Sequence, residues 1–304
     1  MYIKNNINIV ILATMLATTS LVSACKENSV SRENSSNVEI ERWIPAQNAN
    51  WTWQLQNYRN LEIRPDVDVY DIDLFDSKQD TEYNYIDQLR KQKKKTICYF
   101  SAGTREDWRP DFYKFSEDSV IFEGEMDQWP GEVWLNISDK NALDKTIKPI
   151  MLSRLDLAKS LGCDGVEADN VDGYDNIEET KGLISYSNQL DYNKWLAKAA
   201  HSRGLSIGLK NDFGQLNELV DFFDFAVSEQ CYAYDNICTS YEGNFLANGK
   251  AVFNQEYYSN GKKGEIDEYT FKNSACQYFT SEKISSLWKQ GYELDGVDVE
   301  RCNQ

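Results

Sequence analysis

The amino-acid sequence predicts a single α/β domain in which eight parallel strands and their helices close into a TIM-like (β/α)8 barrel. From residue 43 onwards, short runs of β-prone residues follow one another, and stretches of helical period separate several of them. Strand–helix alternation repeated about eight times in roughly 250 residues is typical of this barrel. A doubly wound open sheet is the alternative, but no Gly-x-Gly-x-x-Gly follows the first run.

The predicted strands are short, and the predicted helices are amphipathic. The strand-like runs cover residues 51–56, 67–75, 96–101, 133–137, 165–169, 205–211, 225–229 and 251–256. In the stretch 189–203, apolar residues recur at the spacing of one helix face from Tyr192 to Ala200, and Gly204 is a stop signal. The stretch 144–160 repeats this spacing from Ile147 to Ala158. These elements place the barrel in residues 43–304.

Residues 1–24 are predicted to be a lipoprotein signal peptide. Lys4 gives a positive start, an apolar run follows, and small residues precede Cys25, as they do at the acylated cysteine of bacterial lipoproteins. A plain signal peptide is the alternative. Residues 25–42 are polar and aperiodic, which predicts a lipidated cysteine and a flexible tether. We therefore expect an exported cell-envelope lipoprotein, held at the outer membrane or cell surface by its lipid alone or released from it.

The composition excludes several classes of function. Lys and Arg number 32 against 49 Asp and Glu, and the resulting formal charge of −17 argues against nucleic-acid binding, which needs a basic face. His201 is the single histidine, so neither a histidine-rich zinc site nor Ser-His-Asp catalysis is expected. Carboxylates are then the groups that would carry out chemistry. We expect a monomer that needs no cofactor and no metal.

Six cysteines follow the lipidation site, and export permits disulfides. Four of them form two candidate pairs, which are Cys231 with Cys238 and Cys276 with Cys302. The other two, Cys98 and Cys163, lie in or beside strand-like runs and are either buried thiols or paired with each other. Because six cysteines allow fifteen pairings, the sequence leaves the connectivity open.

Charged residues concentrate at the ends of the predicted strands. In a barrel of this type, catalytic groups lie at the carboxyl ends of the strands, where the loops open onto one mouth. Side chains two residues apart on a strand share a face, and a buried strand does not carry ionisable groups without partners. The residues at these ends are Asp71, Asp73, Glu167, Asp169, Lys210, Asp212, Glu229 and Glu256. Their recurrence predicts one shared acidic mouth.

An acidic mouth suits glycoside hydrolysis. That reaction needs one protonated carboxyl to donate to the leaving oxygen and one ionised carboxylate to attack or to activate water. Crowding raises the pKa of at least one carboxyl, and a lysine such as Lys210 can hold another ionised. Aromatic side chains could stack on the apolar faces of sugars. The candidates are Trp108, Trp134, Tyr174, Tyr232 and Tyr257.

Several runs of the sequence resemble glycoside-hydrolase family 114. They are VEADNVDGY (166–174), GLKND (208–212), FAVSEQC (225–231), YFSAG (99–103), EDWRPD (106–111) and KAVFN (250–254). They occur in order and in strand-like context within residues 45–258. The family is described as endo-α-1,4-polygalactosaminidases on a TIM-like barrel. The resemblance therefore implies an endo-acting hydrolase of α-1,4-linked, partly deacetylated galactosamine polysaccharide.

The resemblance also implies Asp169 as nucleophile and Glu229 as acid/base of a two-carboxylate mechanism. The nucleophile role favours retention, but the sequence leaves retention and inversion both open, because the choice depends on the separation of the carboxylates. The substrate-binding residues expected around this pair are Asp73, Trp108, Glu167, Asn170, Asp172, Tyr174, Lys210, Asp212, Tyr232 and Glu256. Two positions depart from the family pattern, because Ala168 replaces a proline and Asn136 replaces an aspartate. An acidic cleft would attract the ammonium groups of a cationic or partly acetylated amino-sugar polysaccharide.

Two other classes of function remain open from the sequence. The chain could be a non-catalytic, polysaccharide-binding lipoprotein of the cell envelope, which Asn136 mildly favours. Against this, a binding protein has no need for two carboxylates placed across a cleft. A metal-dependent deacetylase or phosphatase with an all-carboxylate site for Mg²⁺ or Ca²⁺ is the other alternative.

Overall fold

A computed structural model describes residues 41–76, 84–297 and 299–302. The predicted signal peptide 1–24, the lipidation site Cys25 and the tether up to residue 40 lie outside the described residues. Arg42, at the end of the predicted tether, already contacts the folded body, because its Nε lies 3.0 Å from Oδ1 of Asp224. The described residues fall within one unit of dense contacts, 40–304.

Nine of the strands form one sheet, and three form a second. In chain order the strands are β1 (Trp51–Gln54), β2 (Val69–Asp73), β3 (Lys95–Ser101), β4 (Thr104–Glu106), β5 (Val120–Glu125), β6 (Glu132–Leu135), β7 (Gly165–Asp169), β8 (Ser206–Lys210), β9 (Phe225–Glu229), β10 (Val252–Tyr258), β11 (Ser285–Gln290) and β12 (Val299–Arg301). The large sheet has the order β1-β2-β3-β7-β8-β9-β10-β11-β12. Its first eight strands pair in parallel, and β12 is antiparallel to β11.

Hydrogen bonds link the two ends of the large sheet. The indole Nε1 of Trp51 on β1 donates to the carbonyl oxygen of Ser285 on β11 at 2.9 Å. The backbone N–H groups of Leu55 and Gln56 both donate to the carbonyl oxygen of Leu294 at 2.8 Å. These bonds bring β1 back to β11, so the eight parallel strands curl as the predicted barrel requires.

The structure confirms the barrel and corrects its list of strands. Seven of the predicted runs overlap parallel strands, but the run 133–137 does not belong to the barrel. It overlaps β6, which pairs antiparallel with β4 and β5 in a small sheet inserted after β3. β propensity reports a pleated, half-buried environment and not the sheet to which a strand belongs, so the sequence pattern could not separate the two.

The missing eighth strand of the barrel is β11. Its sequence, Ser-Ser-Leu-Trp-Lys-Gln, is largely polar, yet five of its six residues are buried. Lys289 can be buried there because its Nζ lies 2.8 Å from Oδ1 of Asp295 and also donates to the carbonyl oxygen of Val297. Because a lysine with such partners can be buried, a strand that carries one lacks the apolar pattern by which core strands are predicted.

Helices cover the outside of the barrel. They are α1 (Tyr85–Lys91), α2 (Lys140–Ala142), α3 (Lys148–Leu161), α4 (Tyr186–His201), α5 (Leu216–Leu219), α6 (Glu268–Thr270) and α7 (Cys276–Glu282). A π-helical segment, Leu143–Ile147, joins α2 to α3, and the predicted helix 144–160 lies along them. Ser185 and Asn188 form a capping box at the start of α4. None of the helices in the described ranges is long and apolar enough to cross a bilayer.

The barrel interior has an apolar floor. Trp51, Val69, Phe225 and Phe253 are buried and pack together there. Gly208 leaves room for this layer, since a Cβ at residue 208 would lie 2.3 Å from the ring of Phe225. Because inward side chains alternate with outward ones along each strand, the next inward positions lie one layer closer to the mouth. Those positions carry the charged groups described below.

Three disulfides join the described cysteines. They are Cys98–Cys163, Cys231–Cys238 and Cys276–Cys302. The two candidate pairs are therefore present, and the two cysteines left open by the sequence pair with each other. The first disulfide links β3 to the residues just before β7, the second closes a loop after β9, and the third ties α7 to the C-terminal segment.

Candidate active site

Lys210 is the centre of the charged layer at the barrel mouth. It is the last residue of β8, and its side chain is almost completely buried. Its Nζ lies 3.0 Å from Oδ1 of Asp169, 2.9 Å from Oε2 of Glu229 and 3.5 Å from Oε1 of Glu167. Burial alone would lower the pKa of Lys210, but the three carboxylates raise it well above its ordinary value. One ammonium group therefore holds the two predicted catalytic carboxylates together.

Asp169 ends β7 and accepts three hydrogen bonds. Oδ1 accepts from Lys210 Nζ at 3.0 Å and from the backbone N–H of Asn170 at 2.8 Å, and Oδ2 accepts from the Tyr99 hydroxyl at 3.0 Å. The backbone of Asn170 adopts a left-handed conformation (φ 59°), which turns its N–H back onto the carboxylate. A carboxylate held by three donors has a fixed orientation towards the cleft.

Glu229 ends β9 on the other side of Lys210. Its Oε1 accepts from the Tyr257 hydroxyl at 2.7 Å, and its backbone N–H donates to Oδ1 of Asn211 at 3.1 Å. The side chain is 31% exposed, against 17% for Asp169, so it is the more accessible of the two carboxylates. An accessible carboxyl can exchange protons with solvent, which suits a proton donor better than a nucleophile.

A second pair of carboxyl groups lies beneath Lys210. Asp71 on β2 and Glu167 on β7 are both fully buried, and their carboxyl groups are close enough for each to change the pKa of the other. Burial, and then the negative charge of Glu167, raise the pKa of Asp71 well above its usual value. Glu167 faces Lys210 with its Oε1 3.5 Å from the Nζ, and burial raises the pKa of Glu167 to about 7.

The inserted sheet forms one wall of the mouth. Arg109 places one nitrogen 2.6 Å from Oδ2 of Asp73 and another 2.8 Å from Oε1 of Glu106. Glu132 accepts from Nδ2 of Asn170 at 2.9 Å and from the Thr104 hydroxyl. The insert approaches β7 closely, since a Cβ at Gly103 would lie 1.6 Å from the carbonyl oxygen of Asn170.

These groups surround one cleft of about 810 Å³ at the carboxyl ends of the strands. Trp53 lies at its base, with the Lys210 Nζ 4.9 Å from the ring centre. The other aromatic residues of its wall are Tyr99, Trp108, Trp129, Trp134, Phe213, Tyr234, Tyr257 and Tyr292. Carboxylates among aromatic rings are the surroundings that a sugar chain needs, because sugars present both hydroxyl groups and apolar faces.

The cleft brings together most of the residues predicted from the sequence. The predicted residues that line it are Asp73, Trp108, Asp169, Asn170, Asp172, Lys210 and Glu229. The predicted residues outside its lining are Glu167, Tyr174, Asp212, Tyr232 and Glu256. The side chains of these last five residues lie behind the cleft lining, and each of them contacts another residue of the protein.

The period of the strands explains the correction for Glu256. Phe253 and Tyr257 on β10 face the barrel interior, so Glu256 faces the helices. Its carboxylate accepts from the backbone N–H groups of Tyr232 and Ala233 at 2.9 and 3.3 Å and holds the loop that follows β9. Burial raises the pKa of Glu256 to about 7.

The other corrections concern a layer behind the cleft wall. Asp212 is buried and accepts from Nδ2 of Asn193 at 3.0 Å. Burial, and then the charge of Asp172, raise the pKa of Asp212 to about 8. Burial, and then the charge of Asp212, raise the pKa of Tyr174. Tyr232 packs against Phe279 of α7, with ring centres 5.7 Å apart. These residues support the loops that form the mouth.

The sequence analysis missed the residues that the insert and the neighbouring strands bring to the site. They are Tyr99, Glu106, Arg109, Trp129 and Glu132. Tyr99 occupies an inward position near the end of β3, and the alternation of side chains along the strand could have indicated it. Glu106, Arg109, Trp129 and Glu132 reach the cleft through the insert, whose antiparallel sheet the sequence did not reveal.

One group of metal-ligand type occurs in the described residues, outside the cleft. Cys231, Cys238 and Glu256 place their ligand atoms within 4.8 Å of one another. The two sulfur atoms are bonded to each other, and the carboxylate accepts backbone hydrogen bonds. This set therefore does not fit a metal ion.

Comparison with known proteins identifies the family. The model of glycoside-hydrolase family GH114 matches residues 32–304. The crystal structure of Aspergillus fumigatus Ega3 in complex with galactosamine matches with a TM-score of 0.71 and 36% identity, covering 86% of this chain and 98% of that one. The chain belongs to glycoside-hydrolase family GH114. This confirms the family that the sequence motifs resemble and the enzyme class, glycoside hydrolase, that they imply.

A second structure of similar shape supports the fold of this GH114 member. The glycoside hydrolase domain of PelA from Pseudomonas aeruginosa matches with a TM-score of 0.57 and 13% identity, over 82% of this chain and 98% of that one. At this identity the likeness concerns the barrel alone. No curated protein matches the chain.

Proposed function

We propose that this GH114 member is an endo-acting hydrolase of α-1,4-linked, partly deacetylated galactosamine polysaccharide. The observation that carries the proposal is the arrangement of Asp169 and Glu229 on either side of one buried lysine, at the mouth of a glycoside-hydrolase barrel. The 36%-identical Ega3 was crystallised in complex with galactosamine, which supports an amino sugar as the repeating unit.

The spacing of the two carboxylates supports a retaining mechanism. Lys210 Nζ lies 3.0 Å from Oδ1 of Asp169 and 2.9 Å from Oε2 of Glu229, so these two oxygens are separated by less than the sum of the two distances. That limit of about 6 Å, which applies to the two oxygens that face Lys210, is compatible with the carboxyl separation of about 5–5.5 Å in retaining enzymes.

In this mechanism Asp169 attacks the anomeric carbon while Glu229 protonates the leaving oxygen. A covalent glycosyl-aspartate forms and the glycosidic bond breaks, so the leaving chain departs as an alcohol. Glu229, now ionised between Lys210 and the Tyr257 hydroxyl, then takes a proton from water. The resulting attack on the same carbon releases Asp169 and retains the configuration.

The charge of the cleft supports a cationic substrate. Acidic residues of the wall outnumber the basic ones, which are Arg109 and Lys210. The full chain carries a formal charge of −17, so an approaching polycation is attracted at long range as well. The ammonium groups of a deacetylated polymer would pair with the carboxylates of the cleft, whereas a neutral, fully acetylated polymer has no charge to pair with them.

The proposal includes the predicted location of the enzyme. Residues 1–24 would direct export and Cys25 would carry the lipid, leaving residues 25–42 as the tether of a monomeric enzyme that binds no nucleic acid. The three disulfides support an oxidising compartment outside the cytoplasm. Labelling of the expressed protein with a fatty-acid analogue, lost in the variant Cys25→Ala, would test the anchor.

The activity test is reducing-end release from partly deacetylated α-1,4-galactosamine polymer. We expect Asp169→Asn and Glu229→Gln each to lower kcat by about 10³-fold or more, because each removes one half of a mechanism that works as a unit. A chelator should change nothing, and NMR of the first product should show the α anomer. An inert wild type that still binds the polymer would instead favour the non-catalytic binding protein, and initial β anomer would exclude retention.

A further inference from the structure

Two glutamates face each other on the inserted sheet. Glu106 on β4 is the direct register partner of Glu132 on β6. Both residues are buried, with exposures of 2% and 5%. Like charges directly opposite each other on antiparallel strands destabilise a sheet. The folding of the insert therefore gains nothing from this pair, and its presence needs another explanation.

The charges around the pair are not balanced. Arg109 contacts Oε1 of Glu106, but it divides its charge between that carboxylate and Asp73. Oε2 of Glu106 is buried and has no hydrogen-bond partner within the described ranges. Glu132 is held by neutral donors, the amide of Asn170 and the hydroxyl of Thr104. The charge of Arg154 also acts on Glu106, but that guanidinium is paired with Asp111. Arg109 is thus the one guanidinium among the described residues that contacts this group of three carboxyls at the edge of the cleft.

The protonation of the pair reflects this imbalance. Burial, with a further contribution from the charge of Glu106, raises the pKa of Glu132 to about 8. Burial also raises the pKa of Glu106, in spite of Arg109. A carboxyl group that stays protonated because it lacks a counter-charge ionises when a cation binds beside it, and its proton is released.

The position of the pair relative to Asp169 indicates which cation would bind. Asn170 donates its side-chain amide to Glu132 and its backbone N–H to Asp169, so the two carboxyl groups flank the same residue. The Tyr99 hydroxyl, which donates to Asp169, lies in the field of both Glu106 and Glu132. A sugar with its anomeric carbon at Asp169 carries its C2 substituent on the adjacent carbon.

We propose that Glu106 and Glu132 bind the 2-ammonium group of the galactosamine unit that Asp169 attacks. This inference rests on the proposed function. The three N–H donors of an ammonium group match the unpartnered oxygen of Glu106 and the cleft-facing carboxyl of Glu132. The pair would also lower the barrier, because an uncompensated positive charge at C2 opposes the positive charge that develops at C1 in the transition state.

The test compares binding of a deacetylated galactosamine oligomer with that of its N-acetylated counterpart. Titration calorimetry uses the uncleaving Glu229→Gln enzyme at pH 6.5 in two buffers of different ionisation enthalpy. We expect the deacetylated oligomer to release up to about one proton on binding. Adding Glu132→Gln should weaken its binding by about 10- to 100-fold and reduce the proton release, while affinity for the acetylated oligomer changes by less than about threefold.

Two further variants control the experiment. Glu125→Gln removes the same formal charge from an exposed position of the inserted sheet and should leave binding unchanged. Glu106→Gln should reproduce the selective loss, and a melting temperature near that of the parent enzyme shows that each variant is folded. In Glu132→Gln the new side-chain amide oxygen can still accept from Asn170 and Thr104, so the fold has no reason to fail.

Several outcomes would overturn the inference. The first is that the Glu132→Gln enzyme binds the deacetylated oligomer as tightly as its parent does. The second is that its affinity falls equally for the deacetylated and the acetylated oligomer. The third is that the parent enzyme gives a heat of binding with calcium chloride that Glu132→Gln abolishes. The last result would assign the pair to a metal ion. A wild-type enzyme that cleaves galactosamine polymer in any of these cases retains the proposed function, whereas failure to cleave it at all contradicts that function itself.

Discussion

Lys210 illustrates, at the scale of one residue, how stability and chemistry depend on the same contact. Its ammonium group is almost completely buried and lies within 3.5 Å of three carboxylates. Such a group has lost its hydration, and only its anionic partners compensate for this. The reverse also holds, because the carboxylates have no other cation within hydrogen-bonding distance among the described residues.

We therefore expect Lys210→Met to destabilise the protein by about 3–5 kcal/mol near pH 8, because it leaves buried negative charges without a counter-ion. The raised pKa of Lys210 means that its contribution is fully present below its unfolded value near 10.5, so the wild type keeps it throughout the neutral range. Near pH 5 the loss should be smaller, since the carboxyl groups can take up protons there. Chemical denaturation at both pH values measures the difference.

Lys289→Met is the matched control for that experiment. Lys289 is buried to the same degree on β11, but it has one carboxylate partner, Asp295, and lies outside the cleft. Its substitution should lower stability less than that of Lys210 and leave hydrolysis intact. Equal losses of stability at both sites, or hydrolysis unaffected by Lys210→Met, would contradict the role assigned to the central lysine.

Buried carboxyl groups on the strands show what a residue-level pattern can and cannot predict. The acidic strand ends correctly indicated Asp169, Glu229 and Lys210 as neighbours, because parallel strands end at one edge. The same pattern misplaced Glu256, since a strand end has two faces and only one of them is the barrel interior. Glu106 and Glu132 could not be predicted, because their position depends on how the insert folds over the mouth.

At the scale of elements, the disulfides differ in how much chain they constrain. Cys98 and Cys163 are 65 residues apart, and the loop they close contains the whole inserted sheet together with α2 and α3. Cys231 and Cys238 are 7 residues apart and close only the turn after β9. The entropy that a disulfide removes from the unfolded chain grows with the length of the closed loop.

We expect the double variant Cys98→Ala/Cys163→Ala to lose about 4 kcal/mol of unfolding free energy, and Cys231→Ala/Cys238→Ala to lose about 2 kcal/mol. Denaturant titrations of both variants and of the wild type measure this under one set of conditions. The order of the two losses is the decisive result. If the short loop costs as much as the long one, the constraint on the unfolded state is not the source of the stabilisation.

The elements also show why the barrel was predictable while one of its strands was not. Strand–helix alternation depends on hydrophobic period, which the helix stretch 189–203 and seven strands display. Strand β11 breaks the rule because Ser285, Ser286 and Lys289 are buried polar residues. The run 133–137 has the right composition for a barrel strand, but β4 and β5 recruit it to the insert. The composition of a strand therefore does not predict which neighbouring strands it pairs with.

At the scale of the whole molecule, the barrel has an apolar floor and a layer of ionisable groups above it. Asp71, Glu167, Asp169, Lys210 and Glu229 occupy inward positions over the packed rings at the base. Burying this many charges lowers stability, and a protein selected for stability alone would fill the layer with apolar side chains. The proposed reaction accounts for this layer, because it needs two carboxyl groups in different protonation states.

Because so many buried carboxyl groups have raised pKa values, we expect the stability of the whole protein to fall as the pH rises from 6 to 9. Burial raises the pKa of Glu132 and Asp212 to about 8 and that of Asp172 and Glu256 to about 7. In the unfolded chain these groups titrate near pH 4. Their contribution is fully present below that value and is lost as the pH rises through the folded pKa values.

Melting temperatures between pH 6 and 9, measured in about 0.3 M salt to screen surface repulsion, test this expectation. Asp212→Asn isolates one group, because asparagine copies the protonated aspartate and tolerates the left-handed backbone at residue 212 (φ 44°). The stability of this variant relative to the wild type should increase by about 2 kcal/mol between pH 6 and pH 9, because only the wild type has to ionise the buried group. A wild-type melting temperature that stays level or rises towards pH 9, or a variant with an unchanged pH slope, would show that these carboxyl groups ionise in the folded protein without cost.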